Sequence, residues 1–455
     1  MPPFYRTFGI LLFVFLWAPS ILAKPMTLHD ALHFALEHSP VFDSAVRGRD
    51  VADLTAKVTY AGLLPSLDFS TTDGFVLNHP IGVYDPYSTA LSLGLTENLY
   101  DNGVTWTNYK IAKDNMLISN LNFMKARDQI CLNVAAAFYQ YSQTVKSLEV
   151  KKEQLVTLDK QRNLVYNQYQ QGFKTKNEYL RLKSQVQLIQ IDILNGHNDI
   201  ESAVNELKRL LGMGAQAHTP DPLEFEAIDP GGAEPQIKTV PLVPEDFYDF
   251  KIARLTGEVN EMGVDLVRKN YWPQFNFTVA ANYSNSGLYG PLGPAYAVPE
   301  GTVFEPLNVP AGPTGYNSES YAVSALVTIT YNIWDWGIRK NNIEIAESNK
   351  LIQDDTLKSG LLQLRSDIKN TEVQLSTLLE SFKIQKELLD SETQIYEILR
   401  VDYREGKIPY IDMITALNDL LSAKLNYYSS YFGLLTDIAR HHYYEGNIYE
   451  KIYGQ

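Results

Sequence analysis

Two carboxylates stand at matching places in this chain: Glu178 is six residues beyond Gly172 in Tyr169-Gln-Gln-Gly-Phe173, and Asp412 is six beyond Gly406 in Tyr403-Arg-Glu-Gly-Lys407. Paired carboxylates act through their charge on whatever passes or binds near them. An acidic residue in the first turn of a helix is also favoured by the helix dipole alone. His29 and His33 lie four apart with Asp30 between them, a spacing that can hold a metal ion on one helix face, but no third strong ligand stands nearby. His441 and His442 are adjacent and are expected on different sides of a helix, which makes a weaker metal candidate still. Cys131 is the only cysteine, so no intrachain disulfide and no cysteine-based zinc site can form; it sits among Ile130, Leu132 and Val134 as a small core residue. The chain has no Gly-x-Ser-x-Gly, no His-Glu-x-x-His and no glycine-rich phosphate loop. No catalytic, cofactor or metal site is therefore expected.

The echo around the two carboxylates extends along the chain. Leu64-Pro65-Ser-Leu-Asp-Phe-Ser returns as Trp272-Pro273-Gln-Phe-Asn-Phe-Thr, and Leu99-Tyr-Asp-Asn-Gly103 returns as Ile333-Trp-Asp-Trp-Gly337. The first echo is displaced by 208 positions (65 to 273), the other two by 234 (103 to 337 and 172 to 406). A duplicated unit in which one loop has grown by 26 residues, the difference of the two displacements, accounts for all three.

Within each unit the periodicity changes in the same order. Thr27-Leu-His-Asp30 has the form of a capping box and opens a helix that runs to about Tyr60. From Ser66 the period becomes two: Leu67 and Phe69 alternate with Asp68 and Ser70, and Leu91, Leu93 and Leu95 with Ser92, Gly94 and Thr96. The second copy repeats this with Phe275, Phe277, Val279, Ala281 and Tyr283, then Val323, Ala325, Val327, Ile329 and Tyr331. Between those strands, Gly287 to Ser320 carries six prolines and is expected to be an exposed loop. Each strand pair leads through a strand-to-helix elbow, Asp101 with Gly103 and Asp335 with Gly337, into some 65 residues without proline. That length predicts a helix of roughly 100 Å. Leu148, Leu155, Leu158, Val165 and Tyr169 have the spacing of coiled-coil packing. Gly172 and Gly406 should reverse the chain into return helices, from about Asn177 to Leu211 and from about Tyr410 to Tyr444. The expected organisation is a secretory signal peptide at 1–23, a first repeat at 24–211, an irregular proline-rich linker at 212–244 and a second repeat at 245–455.

A net charge of −14, from 39 basic and 53 acidic residues, argues against a nucleic-acid partner. No segment after the signal offers 18 uninterrupted apolar residues, so a membrane crossing must be made by strands. Four amphipathic strands cannot close a membrane barrel, which needs about eight or more. Three chains would supply twelve strands and a sealed wall, apolar side outward to lipid, and the long helices would extend that wall into water as a helical tube. A tube joined to a barrel is a conduit.

The duplication, the elbows Leu99-Tyr-Asp and Ile333-Trp-Asp, and the Tyr-x-x-Gly turns that run on to Glu178 and Asp412 together resemble the TolC family of outer-membrane exit ducts, over essentially the whole chain after the signal. The resemblance implies a mainly helical fold with membrane β-strands: a homotrimer with a twelve-stranded β-barrel continued by a periplasmic α-helical barrel. It also implies a periplasmic adaptor (membrane fusion) protein and an inner-membrane pump or secretion ATPase as partners. By the same resemblance the helix reversals form the periplasmic entrance, with Glu178, Asp412 and Tyr403 at the pore and Gly172, Phe173, Lys174, Gly406 and Lys407 at the tips where an adaptor docks. Tyr403 matches a tyrosine that helps hold the entrance closed. The basic partner of some members is replaced here by Ile408 and a further acidic position by Thr415, leaving Arg404, Lys407 and Lys174 as substitutes. Where the family commonly has proline before the elbow's aromatic-Asp step, this chain has Asn98 and Asn332. A periplasmic adaptor or a coiled-coil scaffold without a pore is the competing class, but an adaptor predicts one hairpin flanked by a compact β domain, not two hairpins each opened by amphipathic strands.

Overall fold

The computed structural model of the chain describes residues 25–75, 85–213, 225–230, 242–289 and 317–453. The expected signal peptide, most of the linker and nearly all of the proline-rich loop lie outside these residues. The chain divides into two compact units, and each draws on both repeats: Asp43–Ala126 with Val243–Lys369, and Met1–Phe42 with Arg127–Leu242 and Asn370–Gln455.

The bounds of the paired helices carry the duplication to the residue. Helix α2 (Pro40–Ala61) precedes strands β1 (Ser66–Phe75) and β2 (Asp85–Tyr100), then α3 (Val104–Gln170) and α4 (Lys176–Leu210). Helix α5 (Tyr248–Lys269) precedes β3 (Gln274–Tyr289) and β4 (Asn317–Thr330), then α6 (Ile338–Arg404) and α7 (Tyr410–Tyr444). Both ends of α5 lie 208 positions after those of α2 (248 against 40, 269 against 61). Those of α6 and α7 lie 234 after those of α3 and α4 (338 against 104, 404 against 170, 410 against 176, 444 against 210). The strands reach past the expected loop edges, because the β3–β4 ladder continues to the pair Gly287 and Asn317.

In the first unit the four strands form one antiparallel sheet in the order β1-β2-β3-β4. Register decides what each face is made of, since a slip of one residue would exchange the faces. Leu67 pairs with Leu95, Leu95 with Val279 and Val279 with Ala325; Phe69 pairs with Leu93, Leu93 with Ala281 and Ala281 with Val323. All four apolar rows therefore share one face. Asp68, Gly94, Ala280 and Ser324 follow one another across the opposite face. The apolar face is open to its surroundings, with Phe69 68% and Val323 82% exposed. No helix among the described residues is long and apolar enough to cross a membrane.

The second unit holds the packed helical part. Its capping box is formed as expected: Asp30 N–H donates to Thr27 Oγ1 (3.2 Å) and Thr27 N–H to Asp30 Oδ2 (3.1 Å). The helix expected to run from there to Tyr60 is instead two, α1 (Leu28–His38) and α2, broken at Ser39. Pro40 is the reason, since the residue before a proline is pushed out of the helical region, and Ser39 is extended at φ −73°, ψ 121°. Toward the helix reversals, Leu158 and Val165 of α3, Leu182, Val186 and Ile189 of α4, Tyr396 of α6 and Met413, Ile414 and Leu417 of α7 form one buried cluster. Leu148, Leu158 and Val165 of the expected seam are buried, and Leu155 packs against the cluster that holds Leu158 and Val165. The described part of the linker is pinned here as well: Tyr141 Oη donates to Phe225 O (3.0 Å) and Ile228 N–H to Ser142 Oγ (3.1 Å). Cys131 is fully buried, and burial, with the Asp128 carboxylate adding to it, pushes its thiol pKa up to about 12. It is an inert core residue.

Candidate functional site

Helices α3 and α6 end in the same way. Phe173 N–H donates to Gln168 O (2.8 Å) and Gly172 N–H to Tyr169 O (3.0 Å); Lys407 N–H donates to Asp402 O (2.9 Å) and Gly406 N–H to Tyr403 O (3.0 Å). These are Schellman ends, which need a left-handed residue after the last turn, and Gly172 (φ +81°) and Gly406 (φ +77°) supply it. The return helices start differently. Thr175 caps α4 by accepting the Glu178 N–H (3.3 Å), whereas Pro409 precedes α7 with no side-chain cap.

The cap aims Glu178 into a groove of about 660 Å³ lined by Thr175, Glu178, Arg181, Gln185, Pro409 and Tyr410. Glu178 Oε2 is shielded from solvent and makes no hydrogen bond; Lys174 Nζ lies 3.8 Å from it. The same ammonium stands 5.8 Å from the Tyr403 ring centroid, so one lysine links the first tip's carboxylate to the second tip's tyrosine. Tyr403 packs edge-on against Tyr410 (5.9 Å), whose hydroxyl donates to Gln185 Oε1 at 3.5 Å. Burial and then the Glu178 charge raise the Tyr403 pKa, and burial and then Tyr403 raise that of Tyr410, so both stay neutral donors at ordinary pH.

Of the basic residues available to replace the family's partner, Lys174 reaches Tyr403. Lys407 pairs within its own turn with Glu405 (2.6 Å) and Asp402 (3.5 Å), and Arg404 is exposed. Asp412 is exposed and does not line the groove, so the structure joins Glu178, Lys174 and Tyr403 and leaves Asp412 outside. Phe173 is 78% exposed at the first tip. Thr175-Lys-Asn-Glu178 carries a capping signal that would have identified Thr175. Gln185 has no such signal, since its partner is 225 positions away.

The elbows are built by their aspartates. Asp101 accepts the N–H groups of Gly103 (2.9 Å) and Thr105 (2.7 Å) and the Thr105 hydroxyl; Asp335 accepts those of Gly337 (3.1 Å) and Arg339 (2.9 Å). Each turn needs two left-handed residues, Asn102 with Gly103 and Trp336 with Gly337. The paired asparagines serve differently: Asn98 Nδ2 donates to Asp101 Oδ2 (3.1 Å), whereas at Asn332 the backbone carbonyl accepts from the Arg339 guanidinium (2.9 Å). Partial burial opposes the Asp101 charge, but the Thr105 hydroxyl and the N–H groups of Thr105, Gly103 and Val104 outweigh it and lower its pKa below the ordinary 3.8. A depressed folded pKa contributes stability above the unfolded pKa, and that contribution is lost as pH falls through the folded value. Asp101→Asn is expected to cost about 1 kcal/mol at neutral pH, and thermal melts of the two proteins should converge in acid. A difference independent of pH would show that the charge is not what holds the elbow.

His33 pairs with Glu37 (3.3 Å), and neither His29 nor His33 belongs to a metal-sized cluster among the described residues. His441 and His442, expected to diverge, both turn to Glu445.

The chain thus combines a four-stranded sheet, apolar on one face, with two helical hairpins reached through like elbows. The outer membrane efflux protein family model matches residues 31–213 and 248–429, one match on each repeat, and the chain belongs to that family. The alkaline protease secretion protein AprF of Pseudomonas aeruginosa is 22% identical over 446 residues, covering 93% of this chain and 85% of the relative. Among solved structures, the Campylobacter jejuni CmeC outer membrane channel aligns with a TM-score of 0.73 at 15% identity, over 92% of this chain and 85% of that one. The outer membrane protein VceC of Vibrio cholerae aligns with a TM-score of 0.71 at 16% identity, over 92% and 96%. The fold is that of outer-membrane channels, mainly helical, with a β-barrel continued by an α-helical barrel. The protein is an exit duct of the outer membrane, of the efflux family. Family and fold are those of channels, not of enzymes.

Proposed function

We propose that three copies of this chain close one twelve-stranded barrel in outer-membrane lipid. The trimer is a passive conduit in a tripartite efflux or type I secretion system, and two repeats, at 24–211 and 245–455, follow a signal peptide at 1–23. One observation carries this reading: the register places the apolar rows of all four strands on a single face. A lipid-facing sheet must have no unpaired edge in hydrocarbon, and sister chains are the simplest source of the missing strands. Protein purified in mild detergent is expected to be trimeric and to conduct in planar bilayers. A monomer without conductance would overturn the proposal.

The helix reversals form the periplasmic entrance in this proposal. Gly172, Phe173, Lys174, Gly406 and Lys407 present the tips to a periplasmic adaptor that couples the duct to an inner-membrane pump or secretion ATPase. Crosslinking in intact cells followed by purification is expected to recover the adaptor, and the energy-coupling protein found with it distinguishes efflux from the protein export named for the Pseudomonas relative. Glu178 and Asp412 would place six carboxylates at the constriction of a trimer. Glu178→Gln combined with Asp412→Asn is expected to reduce cation selectivity in single-channel recordings. Unchanged selectivity would remove both from the pore, and an effect from Asp412→Asn alone would give the ring to the exposed carboxylate.

A further inference from the structure

The last turn of α7 holds a cluster that plays no part in the tips or the elbows. Glu445 follows His441 by four residues and His442 by three, so its carboxylate comes up between the two rings. Its Oε1 lies 3.6 Å from His441 Nδ1 and its Oε2 2.9 Å from His442 Nδ1. All three side chains are withdrawn from water, with 3%, 17% and 10% of their surface exposed. A zinc ion bonds nitrogen and oxygen ligands at about 2.0–2.1 Å, so its tetrahedral ligands stand roughly 3.4 Å apart, close to the spacing found here.

Two further observations mark this as a place for a cation. Lys451 already sets an ammonium there, with Nζ 2.8 Å from Glu445 Oε2 and 3.4 Å from His442 Nδ1, at a helix C-terminus whose carbonyls favour positive charge. The duplication supplies a comparison inside the same chain. The residues 234 positions earlier are Leu207, Lys208 and Leu211, and both leucines are fully buried. The fold is therefore satisfied by apolar residues at the two most buried places. The second repeat instead buries donor groups there, which is costly unless they are paired.

We propose that His441, His442 and Glu445 form a binding site for a divalent transition-metal ion of the zinc class, which enters by displacing the Lys451 ammonium. Two imidazoles and one carboxylate suit zinc and its neighbours; magnesium and calcium prefer oxygen-only shells. The fourth position would be left to water. Displacing Lys451 also removes one tie between Tyr449–Tyr453, a short π-helical turn, and the end of α7, while Tyr449 keeps its place against the Arg127 guanidinium at 4.5 Å.

The test is calorimetric titration of full-length, chelator-stripped protein in detergent with Zn²⁺, and with Mg²⁺ as the control. One saturable Zn²⁺ site per chain is expected, with no comparable Mg²⁺ site. His441→Ala and Glu445→Gln are expected to weaken it on the order of 100-fold, while Lys451→Gln, which removes the competitor and no ligand, tightens it by about tenfold. Because Lys451→Gln leaves the ligands in place, it keeps the test decisive should a ligand variant fail to fold. Unchanged Zn²⁺ affinity in the His441→Ala, His442→Ala double variant would overturn the proposal. So would the lack of a saturable site in both wild type and Lys451→Gln.

Discussion

Gly212→Ala is expected to destabilise the protein by about 3 kcal/mol or more. Gly212 ends α4 in the left-handed region, φ +76°, with Met213 N–H donating to Lys208 O (2.9 Å). A left-handed alanine alone costs roughly 1–2 kcal/mol. Here the added carbon would also lie 2.3 Å from the His38 carbonyl oxygen, 3.0 Å from its carbon and 3.2 Å from Pro40 Cδ. The first two of these atoms are backbone and the third is a rigid ring, so none can swing aside. Gly172 has a similar φ of +81° and open space around it, so Gly172→Ala isolates the conformational cost. Denaturation of the two variants, followed by helical circular dichroism, should separate them by about 2 kcal/mol. Equal losses would mean that the α4 end is not wedged against the α1–α2 break.

That contact shows where the sequence stops being informative. Periodicity and the repeat offset predicted the long and return helices to within a residue or two, because each rests on a local signal: no proline for 67 residues, then a glycine that ends the helix. The break between α1 and α2 was also available locally, in Ser39-Pro40, but the regular apolar spacing on either side suggested one continuous helix. The approach of Gly212 to His38 joins residues 174 positions apart and leaves no trace in either segment. The entrance divides in the same way. Gly172, Gly406, Glu178 and Tyr403 follow from the repeated motif, whereas the choice of Lys174 over Lys407 as the cation at Tyr403 depends on which lysine is already taken by its own turn. Adjacency suggested that His441 and His442 diverge, but Glu445, four residues after one and three after the other, is within reach of both and gathers them.

The reading as a conduit is tested most sharply by two neighbouring residues on β4. Val323 lies in the middle of the strand, on the face shared by Phe69, Leu93 and Ala281, and it is 82% exposed. Ser324, one position on, pairs with Ala280 on the opposite face. If the apolar face meets hydrocarbon, Val323→Arg buries a charge in lipid at a cost of about 2–4 kcal/mol per chain near the bilayer midplane, and a closed trimer bears that cost three times. Ser324→Arg adds the same side chain toward the water-filled interior, where it changes the charge of the lumen and little else. Val323→Arg is therefore expected to abolish detergent-stable trimers and conductance, while Ser324→Arg assembles normally and shifts ion selectivity toward anions. The reverse pattern would mean that the polar face meets lipid. Equal tolerance of both would mean that the sheet is not a membrane wall at all, since only lipid on one side and water on the other distinguishes residues that are one peptide bond apart.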